Sequence, residues 1–147
     1  MTKIYLAGSC GSDKRTMLKN IATQLRAYNY EVYCPFELQI PNAWDMSQEE
    51  WSKKVFDADG AAIDACDIFL MIIPGRHSTA GTNWEQGYAY AKGKYIIVLQ
   101  YTNDNTSLMT YTAANEFINC TELDLATEVV CILHGGFRQE GCKTILT

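Results

Sequence analysis

The 147-residue sequence predicts an α/β domain spanning residues 1–147, a doubly wound parallel sheet of about five strands with helices on both faces. Three observations lead there. Short apolar runs alternate with segments of helical periodicity. Two of the runs, DIFLMII (67–73) and YIIVLQY (95–101), are apolar apart from Asp67 and Gln100, as strands covered on both faces are. The connections are short, which favours parallel neighbours joined by crossover helices.

The elements follow in order. KIYLAG (3–8) is an apolar run ending at Gly8 and reads as the first strand. Residues 12–30 form a helix with Met17, Ile21, Leu25 and Tyr28 on one face, and Ser12 or Asp13 is suited to cap it. EVYCP (31–35) is the second strand, stopped by Pro35, and a loop runs to residue 46. SQEE (47–50) has the capping-box form and opens a helix to about Ala65. DIFLMII is the third strand, 74–81 a loop, 82–92 a helix and YIIVLQY the fourth strand. A polar loop follows, then a helical or turn segment at 109–115. EFIN (116–119) reads as a short last strand and ELDLATEVVCIL (122–133) as a final helix.

Composition excludes several classes. A net charge of −5 argues against a broad nucleic-acid-binding surface, though not against a small phosphate pocket. The longest apolar run is too short to span a bilayer, and the N-terminus lacks the regions of a signal peptide. The six cysteines form no C-x-x-C pair and have no histidine at zinc spacing. Reduced thiols, no metal and a cytoplasmic location are the expectation.

In a sheet of this kind the ligand sits beyond the carboxyl ends of the strands. The loops at 7–12, 35–45, 74–85 and 102–109 therefore carry the interest. Glu85 lies at one of these edges, in the first turn of the helix read from Thr82, beside Trp84 and Tyr88. Taken alone it fits either an acid favoured by a helix N-terminus or a chemical group. Asp59 falls on the apolar stripe Trp51, Val55, Ala58, Ala62. A carboxylate there is either paired or useful. Two carboxylates at one edge suit glycosidic-bond chemistry, in which one meets the anomeric carbon and the other handles the leaving group's proton.

IYLAG at the start, Asp59–Asp67 before an apolar strand, and GTNWEQGYAYAKGK (81–94), in this order and spacing, resemble the nucleoside 2-deoxyribosyltransferase family. The likeness runs from about Lys3 to Met109. It implies a flavodoxin-like sheet, cleavage or exchange of the N-glycosidic bond of a nucleoside or nucleotide, and no cofactor or metal. Residue by residue, Glu85 matches the nucleophile that forms a covalent glycosyl-enzyme. Asp59 matches the carboxylate that protonates the departing base, and Tyr5 the tyrosine that orients the glutamate. Gln39 stands where transferases place a base-reading glutamine, with an ordinary loop residue as the alternative. Gly81 opens the motif and falls with the substrate-binding residues. Trp84 and Tyr88 either wall the base or pack.

Two positions depart from the transferases. Six residues before Glu85 they carry an aspartate; here it is Thr79, and hydrolases of nucleoside 5′-monophosphates tend to have serine. Ser107 likewise stands where transferases tend to have asparagine. An aspartate repels a phosphate, whereas a hydroxyl donates to it. Gly8, Ser9, Gly11 and Ser12 precede a helix, and small residues with exposed amides there suit an anion. The expected reaction is hydrolysis of a nucleoside 5′-monophosphate. Deoxyribosyl transfer and non-catalytic nucleotide binding are the alternatives. Ser107 and Met109 lie in a segment that, in similar enzymes, completes a neighbour's pocket. The expected partners are thus a small-molecule substrate and further copies of the chain, at least a dimer, with no nucleic-acid polymer and no membrane.

Overall fold

The computed structural model describes residues 1–8, 13–134 and the backbone of 144–145. Its elements are β1 (Lys3–Gly8), α1 (Arg15–Ala27), β2 (Glu31–Tyr33), α2 (Gln48–Ala65), β3 (Ile68–Ile73), α3 (Ala80–Ala91), β4 (Tyr95–Gln100), β5 (Thr106–Ser107), α4 (Leu108–Thr112), β6 (Glu116–Asn119), α5 (Leu125–Leu133) and β7 (Thr144–Ile145). Five strands form one parallel sheet in the order β2-β1-β3-β4-β6, and β5 and β7 make a small separate pair. This is the expected α/β sheet. The chain winds outward from β1 to β2, then returns to place β3 on β1's other side. That reversal makes the crevice beyond β1 and β3 the natural ligand position.

Side chains alternate across the sheet. Ile4, Leu6, Leu70, Ile72, Ile97 and Leu99 point to the side covered by α1 and α5. Tyr5, Ala7, Phe69, Met71, Ile73 and Val98 point to the side of α2 and α3, where Ile63 and Ala89 join them. Beyond β4, Thr106 donates to the side-chain oxygen of Gln100, whose amide donates to the carbonyls of Thr102 and Asp104. Asn119 also donates to Thr102 O at 2.8 Å, and the Arg76 amide to Asn105 O at 2.8 Å. The loops after β3 and β4 are thereby fastened together. Gly75 has φ +139°, and a Cβ there would lie 2.8 Å from Asp104 Cβ, so this junction requires glycine.

Helix starts differ from the expectation at α1 and α3, and α5 begins at Leu125 after a 3₁₀ turn over Glu122–Asp124. α1 begins at Arg15 with Lys14 as its N-cap and no side-chain cap, so Asp13 does not cap it; Ser12 lies outside the described residues. α3 begins at Ala80, before Thr82, because the Thr79 side chain accepts from the Thr82 amide at 3.4 Å and caps it. Ser47 caps α2 as expected, accepting from the Glu50 amide at 3.1 Å. Cys34 and Cys66 are buried, and all four described cysteines are free thiols. Among the described residues no helix is long and apolar enough to cross a membrane, and no group of three ligands could hold a metal.

Candidate active site

A cavity of about 940 Å³ opens at the carboxyl ends of β1 and β2. Gly8 and Thr79 line it, as do Pro35, Phe36 and Leu38 from the loop after β2. α2 contributes Trp51, Val55, Phe56 and Asp59; α3 contributes Trp84 and Glu85. Trp51 and Val55 of the α2 stripe line this cavity while Ala62 packs on the core, and Ile63 is the helix's only fully buried residue. Asp59 is half-buried in the cavity wall, which removes the conflict of a carboxylate in an apolar core.

The carboxylates have matching supports. Tyr5, fully buried, donates its hydroxyl to Glu85 Oε2. Tyr33 donates to Asp59 Oδ1 at 2.7 Å. Tyr5 and Tyr33 are register partners on β1 and β2, and their rings stack at 5.4 Å with 23° between planes. Phe69 stacks on Tyr5 at 5.4 Å. Strand pairing therefore aligns two phenols beneath two acids carried by two different helices.

Burial pushes the Glu85 carboxyl up to about 7, with the Tyr5 hydrogen bond opposing and the Asp59 charge adding to the rise. Asp59 is also raised by burial, and its Tyr33 bond pulls it back. Tyr5 and Tyr33 are both held well above the ordinary phenol range, first by burial and then by the adjacent carboxylates. Both phenols therefore stay protonated and remain donors. Glu85 sits in the second turn of α3, the earlier helix start having moved it out of the first. The helix dipole, expected to favour its ionised form, is thus weaker there.

Gly8, Thr79 and Gly81 line the same cavity. A Cβ added at Gly81 would meet nothing within 4 Å, so what its glycine leaves is open space. Ser9 and its neighbours Gly11 and Ser12 lie outside the described residues. Gln39 is exposed and does not line the cavity, while Leu38 and Ile40 on either side of it do. Trp84 forms a wall, 48 % exposed, tilted against Phe56 and stacked on Tyr88 at 5.4 Å. Tyr88 is thereby a backing residue, donating to Asp64 at 2.8 Å. Ser107 and Met109 are not brought to Glu85. They line a separate hollow of about 450 Å³ with Arg76, Gln86 and Thr110. His77 accepts from Arg76 Nε at 3.1 Å.

Sequence reasoning missed Tyr33 and Arg15. Tyr33 had a signal: β2 beside β1 in parallel register puts a residue of EVY next to Tyr5. Arg15 is the only cation among the described residues that line the cavity. Its signal was its place at the start of a helix that follows a glycine-serine loop at the sheet's carboxyl edge.

The family model described as nucleoside 2-deoxyribosyltransferase matches residues 4–136. A nucleoside deoxyribosyltransferase of Lactobacillus johnsonii is 25% identical over 81 residues, 53% of this chain and 54% of that protein. The match thus spans about half of that curated relative. The 2-deoxyribosyltransferase of Bacillus psychrosaccharolyticus superposes with a TM-score of 0.72 at 27% identity, covering 99% of this chain and 100% of that one. A CMP N-glycosidase of Clostridium botulinum shares the fold, with a TM-score of 0.61 at 24% identity over 88% of this chain and 99% of that one. The family match takes in the strand bearing Tyr5, both carboxylate helices and the walls between them: this chain belongs to the nucleoside 2-deoxyribosyltransferase family.

Proposed function

We propose that the protein cleaves the N-glycosidic bond of a nucleoside 5′-monophosphate and passes the sugar to water. The observation that carries this reading is the pair of tyrosine-supported carboxylates, Tyr5–Glu85 and Tyr33–Asp59, facing one apolar-walled cavity. Ionised Glu85 attacks C1′ while the C–N bond breaks, its electron pair leaving with the base. Protonated Asp59 gives its proton to that base. The product is a glycosyl ester on Glu85. Asp59, now a carboxylate, takes a proton from water, which attacks C1′ and frees Glu85. Tyr5 holds the attacking carboxylate in place. Trp84 and Phe56 offer ring faces for a base.

Arg15, Gly8 and Thr79 support the phosphate part of the reading. A guanidinium and a hydroxyl in the cavity lining suit a 5′-phosphate, and no carboxylate stands at position 79 to repel it. The matching test incubates the protein with nucleosides and 5′-monophosphates, with and without an acceptor base, and identifies products by chromatography. Free sugar phosphate and free base are expected, with monophosphates favoured at least about tenfold in kcat/KM, or roughly 1.4 kcal/mol.

A second reading, deoxyribosyl transfer to another base, is favoured by the transferase relatives. Formation of a new nucleoside faster than free sugar would establish it in place of hydrolysis. In either reading a symmetric dimer or larger assembly brings Ser107 and Met109 to a neighbour's cavity, since within one chain they line a different hollow. Light scattering at assay concentration is expected to give a multiple of the chain mass; a fully active monomer would refute this.

A further inference from the structure

The two carboxylates of the cavity are served by separate phenols. Tyr33 reaches Asp59 from β2, the edge strand, across to α2. Its ring stacks on that of Tyr5, which places its hydroxyl oxygen beside Asp59. The bond falls on Asp59 Oδ1 at 2.7 Å. Tyr5 from β1 and Glu85 from α3 both feel the Asp59 charge, and Arg15 from α1 lines the same cavity.

We propose that Tyr33 is a positioning residue: its hydroxyl holds Asp59 through Oδ1 and leaves Oδ2 as the oxygen that exchanges the proton with the base. The consequence for turnover rests on the glycosidic chemistry proposed above; the bond itself does not. A donor on Oδ1 favours the ionised form of Asp59, so Tyr33 also governs how the pair Glu85–Asp59 divides its protons. Glu85, lifted to about 7 by burial, holds a proton that the attacking form must lack. Asp59 must carry the proton that Glu85 gives up. The strength of the Tyr33 bond therefore shifts the pH profile over which the productive pair forms. A tyrosine that merely filled space beside Tyr5 would leave that profile where it is.

The test is Tyr33→Phe, which keeps the ring stack and removes only the hydroxyl. With carboxyl-labelled aspartate, NMR is expected to place Asp59 about one pH unit higher than in the wild type. The pH profile of kcat/KM is expected to move up with it. In an Asp59→Asn background the same substitution is expected to leave the pH profile unmoved. An unchanged Asp59 titration in folded Tyr33→Phe overturns the proposal, and so does a profile shift that persists without Asp59. Should Tyr33→Phe not fold, Asp59→Asn reads the bond from its other side. The Tyr33 phenol, held high partly by Asp59, is then expected to titrate lower, and no change overturns the proposal. The NMR titrations need no substrate. A shifted Asp59 in a protein that cleaves no glycosidic bond would sustain the positioning role and reject the proposed reaction.

Discussion

The two faces of the sheet share the same five strands and are finished in opposite ways. On one face α1, thirteen residues long, buries Leu18, Ile21, Ala22 and Leu25 against aliphatic strand residues. On the other, α2 is eighteen residues long and fully buries Ile63 alone. The first face is closed by Leu, Ile and Val. The second holds tyrosine, phenylalanine, methionine and two carboxylates, and keeps Trp51, Phe56 and Trp84 partly in solvent. Stability is concentrated on the α1/α5 face. The α2/α3 face forgoes burial to keep a cavity, and it contains a carboxylate that burial disfavours.

That contrast yields opposite mutational signatures. The largest effect is expected for Glu85→Gln, with activity falling about a thousandfold or more in steady-state assays. Its effect on stability runs the other way. The Glu85 carboxyl titrates near 7 in the folded protein against an ordinary value of 4.5, so the folded state holds the extra proton between those values. Wild-type stability is therefore expected to fall as pH rises from about 4.5 through 7. The glutamine variant lacks that loss and is expected to be more stable at pH 8 by roughly 1–3 kcal/mol. Denaturant titrations of both proteins at pH 5 and 8 measure the difference; a variant less stable than wild type at pH 8 contradicts it.

Leu25→Ala probes the closed face. Its side chain is fully buried, and its truncation is expected to cost about 2–5 kcal/mol by urea unfolding. Turnover per folded molecule is expected to stay within about twofold, because Leu25 touches neither carboxylate. A large kcat loss at full folding would mean that the two faces are not independent.

The smallest effect concerns the cavity lining. Thr79→Asp keeps an N-cap for α3, so folding is expected to be retained. The monophosphate preference is expected to drop about tenfold, and Arg15→Ala to lower it in the same direction. The reaction of the plain nucleoside serves as control and is expected to change little. Equal losses on both substrates would place Thr79 and Arg15 away from the phosphate.

The two faces also differ in how legible they were. Continuous apolar runs announced β3 and β4, and periodicity in Met17, Ile21 and Leu25 announced α1, because burial on a closed face writes itself into residue type. The α2 stripe was visible too, but periodicity marks a face without saying whether core or cavity lies opposite. Glu85, Asp59 and Tyr5 stood out through spacing that resembles a family. Tyr33 did not, since its role arises from strand register between residues 28 positions apart. Ser107 and Met109 line a different hollow within the chain, a separation that the resemblance, not the residue pattern, pointed to.

One feature of β2 carries further. It is an edge strand of three residues, paired on one side only, and its last residue is Tyr33. Such strands open first in local fluctuations. Arg26 counters this from the end of α1, donating to Val32 O at 2.9 Å and pairing with Glu37 at 2.6 Å just past the strand. Tyr5 sits on β1, paired on both sides, and its bond to Glu85 on α3 outlasts such an opening. Fraying of the edge thus strips the donor from Asp59 while the Tyr5–Glu85 bond stays whole. The fraction of molecules with both pairs intact is a property of the weakest strand, and hydrogen exchange at the β2 amides is its direct gauge.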